Sequence, residues 1–172
     1  MMAFGLLILR VVVGLTVAGH GAQKLFGWWG GASMDGWTQT VRKLRIRPAQ
    51  PWAWTAALAE FGGGLLVALG LLSPLGSFAI AGSMLVAIVT VHLSRGFWSK
   101  DGGYEFPLLV LASVMALALT GPGVYSLDHE LRLQLPEPLT LLGGTVAVVA
   151  GVVLALATRA LAPHAQPKAQ TN

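Results

Sequence analysis

Residues able to exchange protons occur in this chain as short clusters at the edges of apolar runs. The first is His20-Gly21-Ala22-Gln23-Lys24, and the second is Glu60 within Ala59-Glu60-Phe61-Gly62-Gly63-Gly64. The third is His92 in Val91-His92-Leu93-Ser94, and the fourth is Gly102-Gly103-Tyr104-Glu105. Imidazole, carboxylate, phenol and ammonium groups at an apolar boundary are the equipment for acid-base work on a flat, poorly soluble ligand. Arg10 adds a guanidinium inside the first apolar run. The chain has no cysteine, which excludes disulfides, thiolate metal sites and thiol redox motifs within it.

The elements that must position these groups follow from composition. With 55% hydrophobic and 10% charged residues and a mean hydropathy of +0.69, the chain has too few charges to cover a water-soluble domain. The apolar residues fall into five runs, about Phe4 to Gly21, Trp52 to Leu72, Leu75 to Leu93, Tyr104 to Thr120 and Leu139 to Thr158. Each approaches the roughly 20 residues that carry a helix across about 30 Å of hydrocarbon. Lipid offers the backbone no hydrogen bonds, and the runs lack the strict alternation of barrel strands. The expected fold is all-α, a polytopic membrane four-helix bundle over residues 1–128. An outer loop and fifth transmembrane helix over 129–162 and a disordered polar tail over 163–172 would follow. No basic residue precedes the first run and no small-x-small cleavage site follows it, so it is expected to stay in the mature protein.

The net charge of +4 is a matter of topology here, and no nucleic-acid partner is expected. Lys24, Arg42, Lys43, Arg45, Arg47, Arg95, Lys100, Arg159 and Lys168 all fall on one side of the threading, whereas Asp128, Glu130 and Glu137 surround Arg132 on the other. The positive-inside rule then places the N-terminus outside and the C-terminus in the cytoplasm of a bacterial inner membrane. Trp28, Trp29, Trp37, Trp52 and Trp54 suit a headgroup-level belt, and residues 35–44 suit an amphipathic helix lying on anionic lipid. In the last run Gly143, Ala147, Gly151 and Ala155 repeat every four residues, a smooth face for helix packing or homo-oligomer contact.

Antiparallel threading brings His20, Lys24, His92, Tyr104 and Glu105 to one depth. Glu60 and Arg10 lie deeper, about 6 Å apart along the membrane normal at about 1.5 Å per residue, so an Arg10–Glu60 pair is expected. Alone in hydrocarbon each charge would cost about 2.5–3.5 kcal/mol. Such a pair is equally compatible with holding two helices in register. Lys24 and Arg95 also fit topology anchors, and Asp128 and Ser126 fit turn-forming groups better than catalytic ones.

Together, His20-Gly-Ala-Gln-Lys-Leu-Phe-Gly27, Ala59-Glu-Phe-Gly-Gly-Gly64, Val91-His-Leu-Ser-Arg-Gly-Phe97, Gly102-Gly-Tyr-Glu105 and Thr120-Gly-Pro-Gly123 with Ser126-Leu-Asp128 resemble the DoxX family of bacterial membrane proteins over about Leu6 to Asp128. The resemblance implies a four-helix membrane bundle in a quinone-linked redox setting. It marks His20, Glu60, His92 and Glu105 as candidate catalytic residues, and Gln23, Lys24 and Tyr104, with Arg10, as candidate substrate ligands. The leading expectation is a quinone-binding oxidoreductase subunit that receives electrons from a soluble or membrane partner or a bound reductant. A b-type haem between His20 and His92 fits less well beside Lys and Glu. No metal site is expected. The reading from another class is a non-catalytic scaffold or a small-solute carrier.

Overall fold

The computed structural model describes residues 1–161, and the expected tail from 163 lies outside them. Among the described residues the fold is all-helical. The long elements are α1 (Met2–Phe26), α3 (Ala49–Leu69), α4 (Ser73–Ala87, prolonged to Arg95 by a π turn and a 3-10 turn) and α7 (Glu137–Ala160). These four are long and apolar enough to span a bilayer. Between them lie the amphipathic α2 (Ser33–Lys43), the 16-residue α5 (Glu105–Thr120) and the single turn α6 (Leu127–Glu130). At about 1.5 Å per residue α5 rises about 24 Å, short of a full span.

Lipid supplies no hydrophobic force between helices, so close backbone packing must hold them. The α1–α3 seam does this with glycine. A Cβ on Gly14 would stand 2.5 Å from the Ala68 nitrogen, one on Gly64 would stand 2.5 Å from the Ala18 nitrogen, and one on Gly21 would overlap Phe61. Across the seam, Val17, Val67, Ile80, Met84, Val114 and Leu117 form the core shared by α1, α3, α4 and α5. Outside it, Phe4, Ile8, Val12, Leu58, Leu65, Val146, Val149 and Val153 are exposed. That continuous apolar surface exceeds what a water-soluble monomer presents and belongs against acyl chains. The chain is a multi-pass membrane protein.

α7 packs on α4, where Gly144 lies so close to Phe78 that any Cβ would overlap the ring. Of the small-residue face expected in the last run, Ala147, Gly151 and Ala155 border the space between α7 and the rest of the bundle, and Gly143 has nothing within 4 Å. Arg47 N–H also donates to Thr158 Oγ1 (3.4 Å), which puts the C-terminal end of α7 beside the α2–α3 connection. The basic loops thus gather at one end, called the basic end below.

Two of the tryptophans expected in a belt turn inward. Trp28, Trp29 and Trp54 are exposed, whereas Trp37 and Trp52 pack with Val41, Ile46, Ala49 and Ala53 beneath α2. Trp37 Nε1 donates to the Ala53 carbonyl (3.1 Å), which fastens α2 to the first turn of α3. At the entry to α2, Gly31 presses against the backbone of Gln23, so the loop after α1 folds back over the last turn of that helix. α2 is thereby held above the space between α3 and α4.

Candidate functional site

Near the basic end, Lys24 on α1 reaches across to Glu60 on α3 as a hydrogen-bonded ion pair. The other Glu60 oxygen accepts a hydrogen bond from Ser83 Oγ on α4 (2.7 Å). Glu60 is only 2% exposed, and the Lys24 ammonium also sits 4.6 Å from the Trp37 ring centroid, a cation–π contact. Three helices and the lid-like α2 thus meet at one carboxylate. A charge buried this far is tolerated because both its oxygens are satisfied.

The cluster forms the polar floor of a cavity of about 430 Å³. α4 supplies one wall (Phe78, Ala79, Gly82, Val86), α3 another (Thr55, Ala56, Ala59), α7 a third (Gly144, Ala147, Val148, Gly151, Val152), while Trp37, Ile46 and Trp52 close the basic end. Apart from Lys24, Glu60, Ser83, Thr55 and Thr90 the named lining is apolar or glycine. This volume lies in the range of small-molecule sites, about 300–1,000 Å³, and a few convergent polar groups in an apolar slot are their usual chemistry.

Of the residues singled out from sequence, Lys24 and Glu60 line this cavity. His20, Gln23, His92, Tyr104, Glu105 and Arg10 do not. His20 is exposed beside Phe106 of α5, with ring centroids 5.3 Å apart. His92 closes the α4–α5 connection: the π turn at Ile88–His92 directs its Nδ1 at the Gly102 carbonyl (2.7 Å). Since a carbonyl only accepts, Nδ1 carries the proton and Nε2 is the basic nitrogen. Glu105 accepts from the Ser99 N–H (2.9 Å), and Tyr104 packs edge-on against Phe97 at 5.5 Å. Gly103 lies against Gly96 and Phe97 with no room for a side chain. These groups knit a loop. The two imidazoles weighed as the less favoured haem pair are engaged with different partners, one with a ring of α5 and the other with the loop ahead of it.

The expected Arg10–Glu60 pair is replaced by two separate arrangements. Arg10, 2% exposed, donates to the Ala68 carbonyl (3.2 Å) and lies against Gly70, whose φ of 64° and lack of a Cβ make room for the guanidinium. Asp128 accepts from Leu72 N–H (2.8 Å) and Ser73 N–H (3.1 Å), capping α4, and its field reaches Arg10. Depth counting brought Arg10 within reach of Glu60, but the Gly21–Phe61 and Gly14–Ala68 contacts put Glu60 level with the last turns of α1, so Lys24 lies about half a turn from it and Arg10 about 18 Å along the helix at about 1.5 Å per residue. Ser126 caps the short α6 by accepting from His129 N–H (3.2 Å), the turn-forming role that its sequence context suggests.

Ser83, Trp37, Gly82 and Gly151 have their place in the site only through tertiary structure. Ser83 carried one signal, a hydroxyl in an otherwise apolar run. Trp37 carried another, spacing from Val41 along an amphipathic helix.

Fold and site together define a small polytopic membrane protein with a polar-floored apolar cavity between its helices. The chain belongs to the DoxX family, whose family profile matches residues 5–93 and so contains Lys24, Glu60 and Ser83. It is 33% identical over 124 residues to a Bacillus subtilis (strain 168) protein named "Putative oxidoreductase CatD", an alignment covering 72% of this chain and 84% of that one. No solved structure matches the chain.

Proposed function

We propose that this protein is the membrane subunit of a quinone-linked oxidoreductase and that it binds quinone, or a small redox substrate of similar shape, in the cavity above Lys24, Glu60 and Ser83. The observation that carries this reading is a nearly fully buried carboxylate, paired to an ammonium and a hydroxyl, at the floor of an apolar slot. The name of the Bacillus relative supports redox chemistry as the class.

Reduction of a quinone takes two electrons and two protons and yields the quinol. The Lys24 ammonium, already bridging Glu60 and the Trp37 face, can hydrogen-bond one quinone oxygen and pass it a proton. Glu60 then passes a proton from the basic end to the neutral Lys24 amine, so that the relay supplies the second proton as well as the first, and Ser83 keeps the carboxylate in place. The flat apolar walls hold the ring. Electrons come from a soluble or membrane partner or a bound reductant, docking at the basic end where Arg42, Lys43, Arg47 and Lys100 are exposed. In this reading the basic end faces the cytoplasm of a bacterial inner membrane, with the N-terminus outside, as the excess of Lys and Arg at that end favours.

Saturable quenching of tryptophan fluorescence by decylubiquinone in lipid nanodiscs tests the proposal, since Trp37 and Trp52 line the cavity. Wild type should bind, Glu60→Gln should weaken binding about tenfold, and His20→Ala should match wild type. Wild type without saturable quenching would overturn it and leave a scaffold or carrier of another solute.

A further inference from the structure

The glycines of the spanning helices fall into two kinds. Gly14, Gly21, Gly64 and Gly144 are places where any Cβ would collide with a neighbouring element. Gly82 on α4 and Gly151 on α7 are the opposite: a Cβ built on either meets nothing within 4 Å, and both residues line the cavity. A mid-helix glycine costs about 0.5–1 kcal/mol relative to alanine. Protein packing accounts for that cost at Gly14 or Gly64. Gly5, Gly62 and Gly143 are as open, but at Gly82 and Gly151 the open space belongs to the cavity, which no described residue fills.

The shape of the cavity says what fits it. The lining follows α4 from Leu75 to Val91, about 24 Å of helix, and Ser83 stands near its middle. From the Lys24–Glu60–Ser83 floor the groove therefore runs about 12 Å along α4 toward Leu75. That half has Phe78 and Ala79 on one side and Gly144, Ala147 and Val148 on the other, while Gly82 and Gly151 flank the groove where it leaves the floor, since Gly144 lies against Phe78 and α7 runs in the same direction as α4. Its rim residues Leu75 and Ala147 are exposed on the apolar flank of the bundle, so the groove opens sideways to acyl chains. An occupant entering there must be apolar along its length and polar only at the end that reaches Glu60.

We infer that α7, which lies beyond the segment matched by the family profile, forms a tail channel with α4, and that the ligand is amphiphilic: an oxygen-bearing head at Lys24 and Glu60, and an alkyl or isoprenoid chain that leaves the head between Gly82 and Gly151 and lies over Ala79 and Ala147. This rests on the cavity being the redox site and specifies which ligands that site takes. Gly82 and Gly151 then decide whether a chain can leave the head, and selection occurs by entry from the membrane.

Gly151→Leu puts its Cβ into open space at the channel, and Gly143→Leu is its control, because Gly143 has equally open space for a Cβ but does not line the cavity. Binding of decylubiquinone is compared with binding of a benzoquinone that carries the same head and no tail, in nanodiscs, for wild type and both variants. Gly151→Leu is expected to weaken the tailed ligand about tenfold and the tailless one by less than about twofold, with Gly143→Leu unchanged. Equal loss of both ligands, or no loss of either, would overturn the tail channel while the redox site stands. Failure of wild type to bind either quinone would instead remove the redox site, and the channel with it.

Discussion

Two carboxylates are buried in this protein, and they are satisfied in different ways. Asp128, at the acidic end, gives both oxygens to backbone N–H groups of the α3–α4 turn. Glu60, nearer the basic end, gives both to side chains, Lys24 of α1 and Ser83 of α4, at the edge of an open cavity. Backbone amides in a turn cannot leave without unfolding it, so Asp128 can only hold. An ammonium and a hydroxyl on separate helices can reorient toward a ligand, so Glu60 can hold and also exchange. A buried charge is thus no sign of function by itself. What it is bonded to, and whether space adjoins it, decides.

The largest effect should fall on the holding site. Asp128→Ala leaves two turn amides without their acceptor and Arg10 without its nearby charge, and should lower stability by about 3–5 kcal/mol in thermal or denaturant unfolding in detergent. Quinone binding per folded molecule should survive, and Asp128→Asn, which keeps one oxygen, should recover part of the loss.

At the exchanging site the contrast is sharper. Glu60→Leu alone strands Lys24 and should cost about 3 kcal/mol, yet adding Lys24→Met should bring stability back to within about 1 kcal/mol of wild type, since an apolar pair can replace a buried ion pair. The double variant should nevertheless bind no quinone. If binding persisted in it, the distinction between the two carboxylates would collapse.

Glycine substitutions probe the same contrast with opposite signs. Gly64→Ala forces a Cβ into the α1 backbone and should destabilise by about 1–3 kcal/mol, whereas Gly82→Ala should stabilise by about 0.5–1 kcal/mol. Two measurements of the unfolding midpoint suffice. The smallest effects belong to the histidines. His92→Ala removes the bond to Gly102 and should cost about 1 kcal/mol, read as faster proteolysis of the α4–α5 loop, while His20→Ala should stay within about 0.5 kcal/mol.

Much of this was legible from the residues in order. Apolar runs of membrane length are a local property, and so are the basic loops and the acidic connection, because bilayer thickness and the cost of unsatisfied backbone act on each segment alone. Glu60 and Lys24 stood out for the same reason, as charges with no local partner. Depth could be counted for groups at helix ends, such as His20 beside Phe106, but not for Arg10 and Glu60, whose separation depended on the α1–α3 register. Neither could rotation or register: whether His20 faced α3 or α5, and whether Lys24 or Arg10 reached Glu60, depended on how glycine seams set the helix contacts.

The sequence by itself determined a helical membrane bundle with polar groups gathered toward one end, since hydrophobic length and charge placement are written residue by residue. Only the tertiary structure decided that Lys24 meets Glu60 and Ser83, that His92 closes a loop, and that Gly82 and Gly151 border a cavity. The physical reason is that hydrogen bonds and voids belong to pairs of surfaces, and which surfaces meet is set by side-chain packing across helices far apart in the chain.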